Sequence, residues 1–488
     1  MLLLSDICMP SFIANTLLMG YALISLCAAG CLLIYAHLRR VRLLELQLCR
    51  QANATLRERS HTRQLLAQML PPETIDEVSR TGRTQAKKFK MVTVLFSDIQ
   101  GFSRITDNIN AEQLLDQLDH FYYQFDTVVR KYGIEKIKTI GDAYMCAGGI
   151  PHKNLTNPIE VVLVALEIMD QMRQLSKQQP AGAGTWELRM GIDTGPVIAG
   201  MVGQTRLTYD IWGSTVNVAS RMQSAGQAGR INITENTHLL VRDFFDCEYR
   251  GRIPVKNKGD VQMYFVTGIK PHLSIDGAGI YPNEQFFVEL QLIRLAELEE
   301  FVLEKLEREL SPQLYYHNLK HTIDVYNQVE LIGRSEGVSR HDMLLLRTAA
   351  LLHDVGHLVD YDTHEEMSSH FARLHLPRFR YTSEQIERVV ELIMATKLPQ
   401  KPQNTLEMIM CDADLEYLGR TDYHPVSQAL YQELHERGRV NSPNEWRQMQ
   451  IGFIEQHRYF TRTAQRNCNA NKAVQLNTLK HNNINLND

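Results

Sequence analysis

The pattern of hydrophobic and polar positions changes several times along the 488 residues of the chain. Residues 7–36 contain no charged side chain and no histidine, and about 20 apolar residues are enough for a helix that spans a membrane. A secretory signal peptide would need basic residues ahead of this run, and positions 1–6 have none. Arg39 and Arg40 follow directly, so the positive-inside rule places everything after them in the cytoplasm. We therefore predict one transmembrane anchor at residues 1–38 of a single-pass membrane protein, in preference to a buried core helix.

Residues 39–84 are predicted to form a helical connector. The stretch 38–69 is rich in Leu, Arg, Glu and Gln and contains no Gly or Pro, which favours a helix, and the proline pair at 71–72 ends it. The heptad pattern is imperfect, because Glu45 and Arg59 occupy positions that a coiled coil would fill with apolar side chains. Two interpretations stay open, a plain spacer and a dimerising rod.

Between residues 91 and 267, short strands alternate with amphipathic helices. The run 134–145, I-E-K-I-K-T-I-G-D-A-Y-M, alternates polar and apolar residues and turns at Gly141-Asp142, which is typical of a tight β-hairpin. The alternation indicates an α+β or α/β domain with helices packed on one sheet. Further strands are predicted at 91–99, 187–192 and 197–202, and helices at 111–132, 158–175 and 214–224.

The rest of the chain is mostly helical in pattern. Residues 271–285 combine prolines and glycines without a clear period, which is typical of a linker. Residues 286–463 have almost no strand signal and predict an all-α domain. The Asn-rich segment 464–488 is nearly aperiodic and predicts a disordered tail.

Composition adds few constraints. A hydrophobic content of 44% and a charged content of 22% are ordinary for globular protein. The formal net charge of −4 indicates no nucleic-acid partner. The eight cysteines have no paired spacing, so neither a disulfide framework nor a zinc site is predicted.

Two aspartates stand in comparable places in the strand pattern. Asp98 ends the predicted strand 91–99, and Asp142 lies at the tip of the predicted hairpin. Carboxylates at the ends of adjacent strands make a pocket of hard oxygen ligands, which suits Mg²⁺ or Mn²⁺ together with substrate phosphates.

Four motifs in series carry a resemblance to a known family. They are V-L-F-S-D-I-Q-G-F, E-K-I-K-T-I-G-D-A-Y-M, L-R-M-G-I-D-T-G and Y-D-I-W-G-S-T-V-N-V-A-S-R-M. Together they resemble the class III nucleotide cyclase catalytic domain, which we place at residues 85–270. The resemblance implies a ferredoxin-like α+β core.

The resemblance also implies roles for single residues. Two Mg²⁺ or Mn²⁺ ions would be bound by Asp98, Ile99 and Asp142. Arg221 would stabilise charge on the α-phosphoryl group, and Asn217, four residues earlier on the same helical face, would orient the ribose.

Base choice follows from the polarity of two side chains in family positions. Adenine offers an acceptor at N1 and a donor at its 6-amino group, which Lys138 and Asp210 complement. In guanylate-selective members of the family, the matching positions look like Glu and Cys, which have the opposite polarity. The sequence therefore predicts an adenylate cyclase that binds ATP. Arg189 and Lys256 would hold the terminal phosphates, with Lys258 close enough in sequence to compete with Lys256.

In this family, one domain supplies the metal aspartates and its partner supplies the base-selecting pair and the Asn/Arg pair. The chain carries one such domain with both sets complete. We therefore predict a head-to-tail homodimer with two equivalent sites.

The helical region contains an ordered set of possible metal ligands: His317, His321, the doublet His353-Asp354, and Asp412 with Asp414. Positions 317 and 321 share a helical face. The set is similar to that of the His-Asp (HD) phosphohydrolase superfamily, and Y-H-N-L-K-H-T-I-D-V also resembles cyclic nucleotide phosphodiesterases within it.

That resemblance implies one divalent metal held by His321, His353, Asp354 and either Asp412 or Asp414, with Asp412 preferred. His317 would protonate the leaving oxygen. His364 with Glu365 would serve a second metal or the substrate.

Three functions stay open. The first is a membrane-anchored adenylate cyclase whose HD domain hydrolyses a cyclic nucleotide or another phosphoester. The second is a nucleotide phosphohydrolase or phosphodiesterase whose cyclase-like domain is a regulatory nucleotide-binding module, and the third is a membrane scaffold that senses ligands. The complete set of cyclase residues favours the first. No G-x-x-x-x-G-K-[ST] run is present, which excludes an ordinary P-loop NTPase.

Overall fold

A computed structural model describes residues 8–67, 74–75, 77–78, 85–102, 110–178, 186–203, 208–255 and 259–481. The chain divides into two compact units. The first comprises residues 1–86 and 200–209, and the second comprises residues 87–199 and 210–488.

The first unit is dominated by one long helix, α1 (Cys8–Ala67). It covers both the predicted membrane anchor and most of the predicted connector. Along the described part of the chain, no helix combines the length and the apolar character that crossing a membrane requires. The structure therefore does not support the predicted transmembrane anchor at 1–38. Residues 1–7 of that segment and many of its side chains lie outside the described residues, as does the proline pair at 71–72.

The second unit begins with an α/β domain built on a sheet of eight strands. The sheet order is β2-β3-β1-β4-β6-β8-β7, and β5 pairs with β4. Neighbours in this order are antiparallel except for β4 and β6, which are parallel. The strands are β1 (Lys87–Ile99), β2 (Glu135–Ile140), β3 (Ala143–Gly148), β4 (Leu188–Val202), β5 (Thr208–Trp212), β6 (Arg230–Thr234), β7 (Phe245–Val255) and β8 (Gly259–Ile269).

Helices pack on this sheet and close its core. Phe121, Phe125 and Val128 recur at helical spacing and are buried in one cluster with Leu95 of the central strand and Val162. The mixed α/β architecture predicted for this region is confirmed. The helices are α2 (Ala111–Lys131), α3 (Asn157–Gln178), α4 (Ser214–Ser224) and α5 (Glu235–Val241).

Strand β4 differs from the sequence prediction of two separate strands. It runs without a break through Gly195 and Pro196, which lie between the two predicted strands. The register between β4 and β1 shifts at this point, between Phe89 and Val92. An irregularity of this kind accommodates a proline inside a strand, because the ladder hydrogen bond that proline cannot donate is not needed there.

The predicted linker at 271–285 is ordered. It forms two short 3₁₀ turns, Pro271–Leu273 and Ile275–Gly277. Leu273 is buried in the core of the α/β domain. The next helix begins at Glu284 and is capped by Asn283, whose side chain accepts a hydrogen bond from the Phe286 N–H.

The remaining region is entirely helical among its described residues, as predicted. Its core combines Leu298 and Val302 with Leu346, Leu351 and other apolar side chains. The helices are α6 (Glu284–Glu309), α7 (Leu319–Ser335), α8 (Arg340–Leu352), α9 (His364–His375), α10 (Ser383–Ala395), α11 (Thr405–Asp414), α12 (Tyr423–Glu436), α13 (Pro443–Gln456) and α14 (Arg462–His481).

The prediction of a disordered tail at 464–488 is wrong over most of that segment. Helix α14 extends to His481, and Ala464 and Cys468 are buried in the helical core. A Cβ on Gly419 would lie 2.3 Å from the Cβ of Cys468, so the two segments pack closely. Small apolar side chains at helical spacing place this polar sequence against the domain. Residues 482–488 lie outside the described part.

Candidate active sites

Strand β1 fixes the position of the first predicted metal ligand. It pairs with β3 on one side and β4 on the other, and Asp98 stands opposite Arg189 near its carboxyl end. Asp142 lies in the turn between β2 and β3, and Tyr144, two residues later, is in register with Ser97. The two pairings therefore bring the Asp142 turn alongside Asp98.

The carboxyl groups of Asp98 and Asp142 interact. Burial raises the pKa of Asp142, and so do the hydrogen bond and the repulsion from the Asp98 carboxyl, whereas a backbone hydrogen bond from Ile99 lowers it. A carboxyl that gains a proton because a second carboxyl is adjacent is a place where a divalent cation can replace that proton. This donor set fits the predicted Mg²⁺ or Mn²⁺. Ile99, the third predicted ligand, is buried beside it.

Two further side chains hold Asp98 in place. Nη2 of Arg189 donates to Oδ2 of Asp98 at 2.5 Å, and Nε2 of Gln223 donates to the same oxygen at 2.9 Å. Arg189 was predicted to hold terminal phosphates, and the structure places it on the Asp98 carboxylate. The sequence reasoning missed Gln223, because only the fold brings the end of α4 to β1.

Helix α4 presents its predicted catalytic residues away from Asp98. A helix turns about 100° per residue, so Arg221 and Gln223 point to roughly opposite sides. Gln223 is buried and contacts Asp98, whereas Arg221 and Asn217 are exposed. The chain therefore does not aim its own Arg221 at its own carboxylate pair.

The predicted base-selecting residues are brought together. Nζ of Lys138 on β2 lies 2.6 Å from Oδ2 of Asp210 on β5. The other oxygen of Asp210 accepts a hydrogen bond from the Ile211 N–H at 2.9 Å, which fixes the carboxylate plane. The pair is partly accessible, with 41% and 17% of the two side chains exposed. Lys256, the other predicted phosphate ligand, and its neighbour Lys258 lie outside the described residues.

A second site lies in the helical region, where three predicted or alternative ligands converge. Nε2 of His321 lies 3.4 Å from Nε2 of His353 and 3.3 Å from Oδ1 of Asp414. Nδ1–H of His353 donates to the Ala350 carbonyl at 2.8 Å, which aims Nε2 at the cluster. Burial opposes protonation of His353, yet the Asp354 and Asp414 carboxylates raise its pKa well above 6.5. These donors could hold one metal ion.

The structure corrects the preferred carboxylate ligand from Asp412 to Asp414. Asp412 is completely buried. Its oxygens accept hydrogen bonds from the backbone N–H groups of Phe460 and Thr461 at 2.8 and 2.7 Å, and from the Thr461 hydroxyl at 2.7 Å. Its role is to hold the chain ahead of α14. Two positions apart on a helix differ by about 200°, so only one of the two aspartates can face the histidines.

A second donor cluster adjoins the first. It consists of His317, Asp354 and His357, and Nε2 of His364 lies 3.7 Å from Oδ1 of Asp354. Within the described part of the chain, both ring nitrogens of His357 are buried without a hydrogen-bond partner, and Oδ2 of Asp354 lies 3.2 Å from Nε2 of His353 in the first cluster. Burial lowers the pKa of His357 to about 3. A buried neutral imidazole with unsatisfied nitrogens fits a metal ligand.

Sequence reasoning missed His357, although its spacing of four from His353 was an available signal. It also missed Glu433, a buried carboxylate on α12. Oε1 of Glu433 accepts a hydrogen bond from Nδ1 of His317 at 2.5 Å, and its other oxygen accepts from the backbone N–H groups of Tyr316 and His317. This contact leaves Nε2 of His317 directed at the clusters, where it could bind metal or transfer a proton.

A cavity of about 320 Å³ opens from the second cluster. His317, Asp354 and His364 form part of its lining. The residues lining it in the described structure include no lysine or arginine. The remaining wall is largely apolar and aromatic, formed in part by Leu398, Leu430, Leu434, Trp446, Met449 and Phe453. The cavity therefore suits a ligand with one or few negative charges and a large apolar face.

Comparisons with known proteins agree with both parts of this description. The family described as the adenylate and guanylate cyclase catalytic domain matches residues 84–268, and the HD domain matches residues 318–416. An adenylate cyclase of Mycobacterium tuberculosis (strain ATCC 25618 / H37Rv) is 36% identical over 214 residues, which are 44% of this chain and 48% of that protein. Retinal guanylyl cyclase 2 of Bos taurus is 34% identical over 217 residues, which are 44% of this chain and 20% of that protein.

Among solved structures, that of the adenylyl cyclase CyaB from P. aeruginosa is 35% identical, with a TM-score of 0.36, and covers 38% of this chain and 96% of its own. The chain thus spans less than half of the length of the curated relatives it matches. Both adenylate and guanylate cyclases occur among them.

Substitution should distinguish the roles of the two aspartates of α11. Asp414→Asn removes a donor from the His321 and His353 cluster. Loss of a residue that only hydrogen-bonds to a metal ligand lowers metal affinity by roughly 10–100-fold, so loss of this direct donor should lower the metal affinity of the full chain by at least as much. Asp412→Asn should leave metal content unchanged and lower the free energy of unfolding by about 1–3 kcal/mol, because one of the two buried acceptor oxygens is replaced by an NH₂ donor that faces other donors. Inductively coupled plasma mass spectrometry measures the bound metal, and denaturant unfolding measures the free energy of unfolding. Loss of metal from Asp412→Asn without loss of stability would contradict the assignment.

Proposed function

The chain contains a class III nucleotide cyclase catalytic domain at residues 84–268 and an HD domain at residues 318–416, and we propose that the protein is a homodimeric adenylate cyclase. It converts ATP to cyclic AMP and pyrophosphate. Its HD domain hydrolyses a cyclic nucleotide. In this proposal both domains belong to one bifunctional enzyme of cyclic nucleotide metabolism.

The contact between Lys138 and Asp210 carries the choice of ATP. Their charged groups meet at 2.6 Å, so both can address one purine edge. The ammonium group can donate to N1 of adenine, and the carboxylate can accept from the 6-amino group. Guanine presents the opposite polarity at these positions, and the polar groups of the site would then be left unpaired.

The reaction is an intramolecular attack of the ribose 3′ oxygen on the α-phosphorus, so positioning and charge neutralisation supply most of the catalysis. Divalent cations held by Asp98, Ile99 and Asp142 would activate the 3′ hydroxyl and neutralise the triphosphate. Arg189 and Gln223 keep the Asp98 carboxylate in one orientation. Arg221 presents a planar fork of donors to the phosphoryl oxygens, and Asn217 orients the ribose.

The orientation of α4 supports the homodimer. Gln223 faces the carboxylate pair of its own chain, and Arg221 and Asn217 lie on the exposed side of the same helix. A second protomer can place its carboxylate pair against that side. Under two-fold symmetry, the first protomer then places its own carboxylate pair against the same helix of the second. Each of the two active sites then combines Asp98 and Asp142 of one protomer with Arg221 and Asn217 of the other.

The cavity beside the HD clusters supports hydrolysis of a cyclic nucleotide. A cyclic nucleotide carries one negative charge and one planar base, which matches a lining that combines metal-donor side chains with apolar residues and, among the described residues, contains no lysine or arginine. A polyphosphate would require cations that the described wall does not offer. His317, oriented by Glu433, is placed to protonate the leaving oxygen.

Exchange of the base-selecting pair should change the preferred substrate. The double variant Lys138→Glu, Asp210→Cys reverses the donor and acceptor, so the ratio of kcat/KM for ATP over GTP should fall by at least about 100-fold. Lys136→Glu is the matched control, because Lys136 is on the same strand but pairs with Asp126 at 2.8 Å. Initial rates of pyrophosphate release measure both substrates. Equal ratios for the double variant and the control would overturn the assignment.

Mixing two inactive variants should restore activity. Asp98→Ala and Arg221→Ala chains each lack one half of the shared site. Random pairing makes half of the dimers mixed, and each of those has one intact site, so about a quarter of wild-type activity should return. Mixtures are dissociated, reassociated and assayed with ATP and Mn²⁺. Absence of any recovery, with dimers confirmed by light scattering, would exclude the shared site.

The HD domain should consume the cyclic product. The wild-type chain given cyclic AMP and Mn²⁺ should release AMP, and His353→Ala should lower that rate by at least about 100-fold, because a metal ligand is lost. His370→Ala is the control, since His370 is exposed on α9. Chromatography of the nucleotides measures the decay. A wild-type chain that leaves cyclic AMP intact over hours would refute this half of the proposal.

A further inference from the structure

Helix α6 belongs to two hydrophobic cores at once. Its first half contributes Phe286 and Leu290 to the core of the α/β domain, where the ring of Phe286 lies 5.0 Å from that of Phe244. Its second half contributes Leu298 and Val302 to the core of the helical domain. A continuous helix buried at both ends transmits displacement, because packed cores do not deform smoothly.

A buried polar chain crosses the same junction. Nη2 of Arg294 on α6 lies 2.6 Å from Oε1 of Glu160 on α3, with 12% and 5% of the side chains exposed. Nη1 of Arg294 donates to Gln291 at 2.9 Å, and Nε2 of Gln291 donates to the Phe379 carbonyl at 2.8 Å. Such a chain of buried contacts, two of which involve the Arg294 guanidinium, fixes one relative position of the two domains.

Arg380, the residue after Phe379, reaches the start of the β2–β3 hairpin, which carries Lys138 and Asp142. The guanidinium of Arg380 lies against the backbone of Gly133, so closely that a Cβ on Gly133 would be 1.6 Å from Nη2 of Arg380. Gly133 has φ +62° and lies two residues before β2, the strand that carries Lys138 and leads to Asp142. A side chain from the helical domain thus contacts the start of the β2–β3 hairpin of the cyclase domain.

The segment that holds Arg380 is tied to the metal clusters. The hydroxyl of Tyr381, the next residue, is hydrogen-bonded at 2.8 Å to that of Thr348, and both side chains are buried. Thr348 lies on α8, which ends at Leu352, immediately before His353 and Asp354. Two contacts and one helix therefore connect the HD donor clusters with the cyclase hairpin.

We propose that the HD domain is a built-in regulator of the cyclase, with Arg380 as the positioning residue through which the state of the HD clusters reaches the hairpin of Lys138 and Asp142. This inference rests on the proposed cyclase function. A change in the HD clusters shifts α8 and the segment of Tyr381 and Arg380. Arg380 then holds or releases the start of β2, and the base-selecting and metal-binding ends of the hairpin move together.

The first test examines Arg380 alone in the full chain. Arg380→Ala should raise KM for ATP as well as lower kcat, and it should increase amide hydrogen exchange across residues 133–148 by about fivefold or more. Arg378→Ala is the matched control, since it removes an exposed arginine two residues earlier whose guanidinium lies over the Phe301 and Phe379 rings. A purely structural role would lower the unfolding temperature and leave KM and exchange at the hairpin unchanged, which would overturn the proposal.

The second test measures coupling. Asp414→Asn alters the HD cluster and should change the rate of pyrophosphate release from ATP by about fivefold or more in the wild-type background, but not in the Arg380→Ala background. Pyrophosphate is followed because hydrolysis of the cyclic product does not affect it. His321→Ala repeats the test if Asp414→Asn fails to fold. Equal effects of the HD variant in both backgrounds, or no effect in either, would refute the coupling. If the wild-type chain releases no pyrophosphate, the cyclase proposal itself fails.

Discussion

The register of β1 is the constraint on which the cyclase site depends. Because β1 is hydrogen-bonded on both sides, it cannot slide by one residue without turning every side chain to the opposite face of the sheet. That register sets Asp98 opposite Arg189 and brings the β2–β3 turn with Asp142 alongside. The electrostatic cost of two adjacent carboxylates is offset in part by Arg189, and the remainder makes the site receptive to divalent cations.

The second site follows a different principle. No strand register brings its ligands together; they come from α7, the end of α8 and the end of α11, and helix packing alone makes them converge. The buried carboxylate of Glu433 and the Ala350 carbonyl then orient the imidazoles. Outer contacts of this kind decide which nitrogen faces the metal, so the hydrogen-bond network around the histidines is as much part of the site as the histidines.

Helix α6 makes these two sites parts of one molecule. A flexible linker between the domains would allow each to act alone. In place of such a linker, residues 271–285 are packed against the α/β core, and the following helix is buried in both domains. The ion pair of Arg294 and Glu160 is nearly inaccessible, and breaking one partner of such a pair is costly. The domains are therefore held in one arrangement within this unit of the chain.

The sequence alone determined the alternation of strands and helices in the α/β domain, the helical character of the domain that follows, and the residues of the four cyclase motifs, because periodicity and local motifs are short-range properties. It also placed Lys138 and Asp210, 72 positions apart, in one functional pair through resemblance, and the fold puts their charges in contact. The tertiary structure alone decided between Asp412 and Asp414, moved Arg189 onto Asp98, added Gln223, His357 and Glu433, and showed order in the linker and α14. Each of these depends on which face of an element meets a distant neighbour. That direction is set by packing between segments far apart in the chain, and the local sequence does not record it.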